Sequence, residues 1–280
     1  MTTPPNISQM PLNDMLYSRG MSGDEIHGIQ SYLRHYGYLQ DRFGVLHDGE
    51  YDDATEKAVR LYQCCFGLPA TGSLDQATLC EMAKPRCGFI DIPPMDAAFT
   101  AISRWERSDL TYKFNSFSTK MAQTDIERDV TAAFDLWSEQ CDLRFSISAD
   151  GAVDIEIEFA TGEHGDESPF DGASGVLAHA YFPPPNGGPL AGDTHFDDDE
   201  NWTCNVSDTQ GIDFLTVAAH EFGHAIGLGH SRQRGALMFP SYSGPQRFLA
   251  PDDIAGCQSL YGPPSAAAAA DCSPLPGRTR

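Results

Sequence analysis

Basic residues are scarce in this sequence. The 280 residues include 18 lysines and arginines against 40 aspartates and glutamates, which gives a formal net charge of −22. Nucleic acids and anionic membranes attract proteins through clustered positive charge. The charge balance therefore argues against both kinds of partner. It is compatible with calcium-binding loops, and equally with a surface whose charge only keeps molecules apart.

Long apolar segments are also missing. No run of about 18 apolar residues occurs, so we expect no transmembrane helix. The first residues, MTTPPNISQMPLNDML, lack the basic and apolar regions of a signal peptide. Eight cysteines are nevertheless many for a reducing compartment, and the triplets at Asn6, Asn201 and Asn205 match the N-glycosylation pattern. These features favour secretion although no leader is visible.

The first third of the chain has a helical pattern. Apolar residues recur at helical spacing in EIHGIQSYLRHYGYL and YDDATEKAVRLYQCCFGL, and SLDQATLCEMA predicts a third helix, all within residues 24–84. Three helices over about 60 residues make a marginal domain unless a disulfide or a docking partner secures them. Cys64 or Cys65 could pair with Cys80, and the sequence leaves that choice open.

A linker containing Pro93 and Pro94 follows, and from Leu110 the pattern changes to alternating apolar and polar residues. The segments LTYKFN, LRFSIS and VDIEIEFA predict strands, and TDIERDVTAAFDLWSEQ predicts a helix between the first two. This order predicts an α/β sheet with a helix packed on it. The polar stretch over residues 161–201 is typical of a functional loop. Two further helices are predicted over residues 212–227 and in APDDIAGCQSLYG.

The motif HEFGHAIGLGHS carries the chemistry. His220 and His224 are four residues apart on a predicted helix, so both project from one face and can hold one zinc ion. Gly227 lets the helix stop and the chain turn back, which delivers His230 as a third ligand. Three protein ligands leave one position open, as in catalytic zinc sites, and Glu221 can hydrogen-bond a water there.

Met238 lies in ALMFP, eight residues past His230, where metzincin proteases have the Met-turn beneath their zinc ligands. With Ser231 after the third histidine, the sequence resembles a matrix metalloproteinase (matrixin) over roughly residues 24–262. The resemblance implies a latent zinc endopeptidase with a metzincin zincin fold. That fold is an α/β (α+β) architecture with a twisted mixed sheet and long helices, here preceded by a small three-helix propeptide domain.

In this interpretation the chain has five parts. They are a flexible N-terminus (1–23), a peptidoglycan-binding-like helical propeptide (24–91), an activation linker (92–103), a zinc metalloprotease catalytic domain (104–262) and a low-complexity tail (263–280). No haemopexin-like repeats follow residue 262, which would make the chain a minimal matrixin. No basic furin-type site precedes the catalytic domain, which argues against activation by proprotein convertases.

The resemblance also implies two zinc ions and one or two calcium ions. The second zinc would be bound in a closed site by His164, Asp166, His179 and His195. The carboxylates and main-chain carbonyls of a first calcium site would come from Asp171, Gly172, Ser174, Val176, Asp197 and Glu200. Those of a second would come from Asp154, Asp193, Pro189 and Ala191. Lys120 stands where the family has the acid of a third calcium site, which argues against that site.

The segment KPRCGFID, residues 84–91, resembles the inhibitory segment of matrixin propeptides, and we call it the switch segment. The resemblance implies that Cys87 binds the catalytic zinc as a thiolate in the latent chain. It also implies that Arg86 anchors the segment through an ion pair with a carboxylate. Phe89 and Ile90 depart from the family pattern, which leaves the path of the segment beyond Cys87 open. From the residues alone, a disulfide at Cys87 stays an alternative.

Substrate binding follows from the same resemblance. The strand GVLAHAYF would pair with an extended peptide, and Glu221 would act as general base. Pro240 and Tyr242 would form the wall of the pocket for the P1′ side chain, with Thr216 near its floor. The implied partners are protein or peptide substrates of the extracellular matrix, collagen among them, an activating protease and tissue-inhibitor-type proteins. The implied state is a secreted monomer.

Two other functions stay open from the sequence. The first 80 residues also resemble a peptidoglycan-binding module, so the chain could be a cell-wall binding protein that merely carries the zinc fold. It could also be a zinc-folded binding module or inhibitor without turnover. The intact Glu221 argues against that second alternative.

Overall fold

The computed structural model describes the chain in six stretches, over residues 5–9, 16–40, 43–44, 46–92, 103–149 and 151–265. No helix in these stretches has the length and apolar character needed to cross a lipid bilayer. Most of the linker predicted over residues 92–103 and of the tail predicted over residues 263–280 lies outside the described residues.

Three helices form the N-terminal unit, as the apolar spacing predicts. They are α1 (Asp24–His35), α2 (Asp53–Cys65) and α3 (Gln76–Met82). The second and third begin where an aspartate side chain satisfies a free amide of the first turn. Asp52 accepts a hydrogen bond from the amide of Thr55, and Asp75 accepts one from the amide of Thr78. These caps fix where the two helices start.

The segment predicted to be flexible, residues 1–23, packs on this unit where the structure describes it. Ile7, in the 3₁₀ turn Ile7–Gln9, is 2% exposed, and the main chain of Tyr17 pairs with that of Leu74. The sequence prediction differs because the segment has no periodic pattern. Its packing comes from single apolar side chains that a periodicity analysis does not detect.

An aromatic cluster fills the core of the N-terminal unit and reaches the second unit. The rings of Tyr62 and Phe66 stack with centroids 4.3 Å apart, and Tyr32 and Tyr38 meet Tyr62 edge-on. Phe239, just past Met238, meets Phe66 at 5.5 Å. Such aromatic pairs contribute about 0.5–1.5 kcal/mol beyond the area that they bury. The two units are therefore joined by a shared apolar contact.

A six-stranded mixed sheet organises the second unit, with the strand order β1-β5-β6-β4-β2-β3. The strands are β1 (Arg86–Cys87), β2 (Asp109–Phe114), β3 (Arg144–Ile147), β4 (Ile155–Ala160), β5 (Val176–Ala180) and β6 (Thr194–Asp197). All neighbouring strands are parallel except β5 and β6. The predicted fold class is confirmed, and the edge strand β1 belongs to the switch segment.

Strands β5 and β6 lie inside the stretch over residues 161–201 that periodicity predicts as a loop. Every residue of both strands is buried. No polar face therefore alternates with an apolar one, and alternation is the signal by which a strand is found in a sequence. Only the family resemblance pointed to β5. A separate short pair, β7 (Trp202–Thr203) with β8 (Ile212–Asp213), follows.

Helices α4 (Gln123–Ser138) and α5 (Phe214–Ala225) pack against each other, and α5 also contacts β5 and β6. The rings of Phe134 and Phe222 stack with centroids 3.9 Å apart. The indole nitrogen of Trp137 donates a hydrogen bond to the carbonyl of Ala219 at 2.9 Å. These contacts fix the helix that carries the HEFGH sequence.

The last helix, α6 (Pro251–Tyr261), holds the chain that runs beneath α5. The buried carboxylate of Asp253 accepts hydrogen bonds from the amides of Leu237 at 2.7 Å and Met238 at 3.0 Å. The position of Met238 therefore depends on where α6 lies.

A disulfide between Cys141 and Cys257 ties α6 to the segment that follows α4, with Cα atoms 6.0 Å apart. The pairing considered from the sequence is wrong, because Cys64, Cys65 and Cys80 are free thiols. Two of these, Cys64 and Cys80, lie exposed on the helical unit. That unit is secured by docking on the second unit and not by a disulfide of its own.

Removing the disulfide with the paired changes Cys141→Ser and Cys257→Ser should lower the free energy of unfolding by about 2–4 kcal/mol. The reason is that the bridge joins residues 116 positions apart and so restricts the unfolded chain. Thermal and denaturant unfolding of the intact chain measure the change. Cys80→Ser, which removes an exposed free thiol, is the matched control. Equal stability of the double variant and this control would contradict the prediction.

Candidate active site

Two histidines of α5 present one nitrogen each to a common point. The Nδ1 atom of His220 donates to the carbonyl of Leu237 at 2.7 Å, and that of His224 donates to the carbonyl of Leu228 at 2.6 Å. Each Nε2 atom is buried and has no hydrogen-bond partner within the described residues. Burial lowers the pKa of His220 to about 3 and that of His224 well below its usual value. Both rings are therefore neutral, with a free lone pair.

The chain turns back after α5 and brings a third histidine to the same point. Gly227 makes the turn at φ 107°, and a Cβ atom there would lie 2.1 Å from the carbonyl oxygen of Ser103. His230 follows, its side chain only 3% exposed, and neither of its ring nitrogens makes a hydrogen bond in the part of the chain that is described. The sequence prediction of three convergent histidines agrees with this geometry.

Cys87 of the switch segment completes the ring. One donor atom from each of Cys87, His220, His224 and His230 lies within 4.8 Å of the others. Three neutral imidazole nitrogens without hydrogen-bond partners and one buried sulfur suit a tetrahedral zinc ion. The residues present therefore fit the metal that the motif predicts.

Glu221 lies beside the sulfur. Its Oε2 atom is 3.5 Å from the Sγ atom of Cys87, and the side chain is fully buried. Burial raises the pKa of Glu221 to about 8. Burial, and then repulsion from Glu221, raise the pKa of the Cys87 thiol well above its usual value. A thiolate at this position therefore requires a cation beside it, which a bound zinc would provide.

The switch segment lies across the cleft and bonds to both rims. On one side, Arg86 donates its amide to the carbonyl of Gly175 and Gly88 donates to that of Ala178, which makes β1 parallel to β5. On the other side, the amide of Cys87 donates to the carbonyl of Pro240 at 3.0 Å. The segment thus occupies the edge of β5 that the sequence assigns to a bound peptide.

The carboxylate that pairs with Arg86 belongs to the switch segment itself and is that of Asp91. The guanidinium lies 2.5 Å from Asp91, donates to the hydroxyl of Tyr32 at 2.9 Å, and stands 3.4 Å above the ring of Tyr36. Both charged side chains are buried, at 2% and 5% exposure. The sequence prediction named the anchor and left its partner unidentified. The acidic residue four places after Cys87 was the available signal.

Phe89 explains how the segment continues where it departs from the family pattern. Its ring stacks on that of His224 and also contacts Phe182, with centroids 4.6 Å apart in both cases. A Cβ atom at the preceding Gly88 would lie 2.8 Å from a methyl carbon of Val176. The aromatic ring thus covers one flank of the histidine cluster, and only glycine fits before it.

A second cluster of donor atoms lies at the join of β5 and β6. The antiparallel register places His179 directly opposite His195, and the loop before β5 adds His164 and Asp166. The Oδ2 atom of Asp166 lies 3.0 Å from His164, 2.7 Å from His179 and 2.8 Å from His195. Burial opposes ionisation of Asp166, but hydrogen bonds from the three histidines hold its pKa far below the usual value. Four protein donors with no open side suit a structural zinc.

The acids assigned to the first calcium site lie close enough to repel one another. Burial raises the pKa of Asp171 and Asp197 to about 6 and that of Glu200 to about 7, and repulsion from Asp197 adds to the shift at Asp171 and Glu200. The Oδ2 atom of Asp197 is buried and has no partner among the described residues. The ammonium of Lys120 donates to the main-chain carbonyl of Glu200 at 2.9 Å. Lys120, which argues against a third calcium site, therefore adds a positive charge beside these acids.

One of the main-chain carbonyls assigned to the first calcium site already accepts a hydrogen bond. Gly172 and Ser174 both turn with positive φ, at 78° and 65°, and Val176 starts β5. The carbonyl of Ser174, however, accepts a hydrogen bond from the side chain of Asn6. A carbonyl oxygen has two lone pairs, so this hydrogen bond leaves one for a calcium ion.

In the second predicted calcium site, one of the two carboxylates, that of Asp193, has a raised pKa. Burial and nearby Glu156 raise the pKa of Asp193 to about 6. Both carboxylate oxygens of Asp154 are taken, one by Arg107 and the other by the amide and hydroxyl of Thr111. The main-chain carbonyl oxygen of Asp154 lies close to Gly192 and so faces the loop that precedes Asp193. Pro189 and Ala191 flank the same turn.

A cavity of about 280 Å³ opens beside His220, and Cys87 of the switch segment is among the residues that line it. Thr216, Pro240 and Tyr242 line it, as the sequence predicts, together with Glu221. The hydroxyl of Thr216 donates to Asp213 at 2.6 Å and accepts from the amide of Gln246 at 2.8 Å. Its oxygen is thus already satisfied, and it does not add a free polar group to the cavity.

Arg234, at the mouth of this cavity, is a residue that the sequence did not single out. It donates to the carbonyl of Phe66 at 2.6 Å and lies 3.1 Å from Glu81, both on the helical unit. Its guanidinium also stands 5.3 Å from the ring centre of Phe239. Nothing local in the sequence marks an arginine for docking, because its partners are remote along the chain.

Met238, the predicted Met-turn residue, packs against α5. If residue 223 had a Cβ atom, that atom would lie 2.3 Å from the sulfur of Met238 and 2.9 Å from the ring of Trp137. The glycine within HEFGH is therefore required by packing. Met238 is 1% exposed and contacts the helix between the two histidines.

Comparisons with known proteins agree with this geometry. Residues 104–262 match the family described as "Matrixin", and residues 22–82 match the family described as "Putative peptidoglycan binding domain". The chain is 40% identical to interstitial collagenase of Bos taurus over 241 residues, which are 85% of this chain and 50% of that protein. It is 45% identical to matrix metalloproteinase-18 of Xenopus laevis over 211 residues (74% and 44%) and 45% identical to stromelysin-1 of Equus caballus over 214 residues (75% and 43%). The chain spans about half the length of the curated relatives that it matches.

The two donor clusters predict two zinc ions per chain. His179→Ala should leave one, because it removes a ligand from the closed cluster at β5 and β6 and leaves the ring around Cys87 intact. Elemental analysis of the purified intact chain measures the content. His27→Ala, at an exposed histidine outside both clusters, is the matched control. Two zinc ions retained after His179→Ala would show that the second cluster is not a metal site.

The acid cluster predicts that calcium stabilises the chain more at high pH than at low pH. The folded-state pKa values of about 6 to 7 lie above the ordinary values. Without calcium, the stability that these groups contribute is therefore present at low pH and is lost as the pH rises through 6 to 7. Bound calcium offsets that loss, because it needs the ionised carboxylates.

At pH 8, calcium at about 100 times its Kd should raise the melting temperature by about 5–10 °C over the chain in EGTA. At pH 5.5 the increment should be much smaller. Asp171→Asn should reduce the increment at pH 8, whereas Glu163→Gln, at an exposed acid nearby, should leave it unchanged. An increment that is the same at both pH values would count against calcium binding by these acids.

Proposed function

This chain belongs to the matrixin family, and we propose that it is a latent zinc-dependent endopeptidase held inactive by its own switch segment. One observation carries the proposal. The sulfur of Cys87 joins the unpartnered nitrogens of His220, His224 and His230 in one buried ring, next to Glu221. A thiol in that place fills the position that a water needs for hydrolysis.

Matrixins use a catalytic and a structural zinc together with calcium, and both donor clusters fit zinc. When bound by the three histidines, zinc lowers the pKa of a water and polarises a peptide carbonyl. Once Cys87 has left, Glu221 accepts a proton from the attacking water on one carboxylate oxygen, while the water oxygen bonds to the carbonyl carbon. Glu221 then donates that proton to the leaving nitrogen as the C–N bond breaks.

The substrate is proposed to take over the main-chain contacts of the switch segment. Gly175 and Ala178 on one rim and Pro240 on the other offer carbonyls that accept amides of the segment. An extended peptide pairs with the same edge of β5 when these groups are released. The cavity lined by Thr216 and Tyr242 then receives the side chain that follows the cleaved bond.

The finer assignments are part of the same proposal. The relatives are named collagenase, stromelysin and matrix metalloproteinase, which supports extracellular-matrix proteins, collagen among them, as substrates. We infer that the chain acts as a secreted monomer, that another protease cuts the linker over residues 92–103, and that tissue-inhibitor-type proteins bind the freed cleft. The division at residues 91 and 104 follows from the same reasoning.

The peptidoglycan-binding resemblance does not favour a second function. The helical unit that carries it uses Tyr32 and Tyr36 to hold the guanidinium of Arg86. It also docks on the second unit through Phe66 and Glu81. These contacts support a role as the domain that positions the switch segment.

Latency predicts that Cys87→Ser makes the intact chain active without cleavage of the linker. The serine hydroxyl stays protonated near neutral pH and is a poor zinc ligand, so water gains the fourth position. A quenched peptide measures turnover, and mass spectrometry of the same sample shows that residues 1–91 are still attached. Arg86→Ala should leak more weakly, because it removes an anchor and leaves the ligand.

The control for this experiment is the double change Cys87→Ser with Glu221→Ala. It should lose activity by several orders of magnitude while it keeps its zinc, because the general base is gone. An intact Cys87→Ser chain as silent as the unmodified one would sink the latency proposal. Equal activity with and without Glu221 would sink the mechanism.

A further inference from the structure

The three histidines of the metal centre differ in what holds their second nitrogen. Main-chain carbonyls of the catalytic unit, those of Leu237 and Leu228, accept from Nδ1 of His220 and His224. The Nδ1 atom of His230 instead lies at ion-pair distance, 2.8 Å, from the Oδ1 atom of Asp91, without the angle of a formed hydrogen bond. Asp91 belongs to the switch segment, so one of three outer partners comes from the part of the chain that activation removes.

Asp91 is held firmly for such a role. Its Oδ1 atom also lies 2.5 Å from the guanidinium of Arg86, and its Oδ2 atom accepts a hydrogen bond from the hydroxyl of Tyr38 at 2.6 Å. The side chain is 5% exposed. A carboxylate fixed from two sides cannot follow a rotating imidazole, so it selects one ring orientation for His230.

We propose that Asp91 is a positioning residue for the metal centre: it orients His230 so that Nε2 faces the zinc, and the switch segment thereby completes the outer shell of the site as well as supplying Cys87. The proposal rests on the proposed zinc centre. A metal-bound histidine commonly donates its other N–H to a carboxylate or carbonyl, which fixes the tautomer and raises the basicity of the ligand. Removal of such a partner costs about 10–100-fold in metal affinity.

The consequence is that latency and metal retention share one residue. In the latent chain, zinc is held by the thiolate and by a fully oriented set of histidines. After the segment leaves, His230 loses its carboxylate, and its Nδ1 atom must find water or a new partner. The activated form should therefore hold its metal less tightly for a reason separate from the loss of the sulfur.

The experiment measures metal release from the intact chain in a Glu221→Ala background, which prevents self-cleavage. Cobalt(II) replaces zinc at the site, because a thiolate–cobalt charge-transfer band reports whether Cys87 is bound. Release of the cobalt to excess EDTA is timed with and without Asp91→Asn. We expect release to be about 10–100-fold faster in the variant, with the thiolate band still present before EDTA is added.

Tyr38→Phe is the matched control, since it removes the hydrogen bond to Oδ2 of Asp91 and keeps the carboxylate next to His230. It should change release far less than Asp91→Asn. Unchanged release in Asp91→Asn would overturn the proposal, as would loss of the thiolate band, because Asp91 would then act only by anchoring the segment. A chain that binds no cobalt or zinc at all would instead sink the proposed function.

A second measurement does not depend on the folding of a variant. Nitrogen-15 spectra of the histidine rings in the zinc-loaded Glu221→Ala chain assign the proton of each imidazole. His230 should carry its proton on Nδ1, hydrogen-bonded to a carboxylate, and should bind metal through Nε2. Metal bound through Nδ1, or a freely exchanging Nδ1 proton, would overturn the role of Asp91.

Discussion

Three buried imidazole nitrogens that lack hydrogen-bond partners must be kept together with a buried thiol, and much of the fold serves that constraint. An unpartnered polar atom in a protein interior costs about 1–3 kcal/mol. The nitrogens of His220, His224 and His230 therefore form an unfavourable group until a cation joins them and the sulfur of Cys87. The surrounding elements have to hold the group in the folded chain against that cost.

The contacts that hold this group in place come from several elements, most of them remote from it in sequence. Asp253 on α6 fixes the amides around Met238, and Met238 in turn packs on Gly223 of α5. The disulfide at Cys257 ties α6 to the end of α4. A metal site built this way is supported by a covalent bond at a distance, so stability and metal geometry are coupled properties of this chain.

The sequence predicted the parts of the site that depend on local spacing. The spacing of four positions from His220 to His224 predicts one helix face, and Gly227 before His230 predicts a turn; the structure agrees with both. The second cluster needed the family resemblance, because the pairing of His179 with His195 depends on a strand register that no local pattern encodes.

Other features could not be predicted, for the same physical reason. The disulfide at Cys257, the docking arginine and the strands β5 and β6 depend on contacts between distant segments or on full burial, which removes the alternating pattern. The carboxylate partner of Arg86 was closer to prediction, since Asp91 lies in the same short segment. What spacing could not reveal is that Asp91 also reaches His230.

The buried ion pair between Arg86 and Asp91 holds the switch segment in one position in the cleft. Buried ion pairs often contribute little net stability, because desolvation of both charges offsets their attraction, but breaking one leaves an uncompensated charge and costs about 3–5 kcal/mol. Tyr32 and Tyr36 satisfy the guanidinium only while the segment lies in the cleft. Small displacements are thus resisted, and the segment leaves through a large change that carries Cys87 and Asp91 away together. In the proposed activation, cleavage of the linker makes that change irreversible, because the helical unit and the switch segment are then free to diffuse from the cleft.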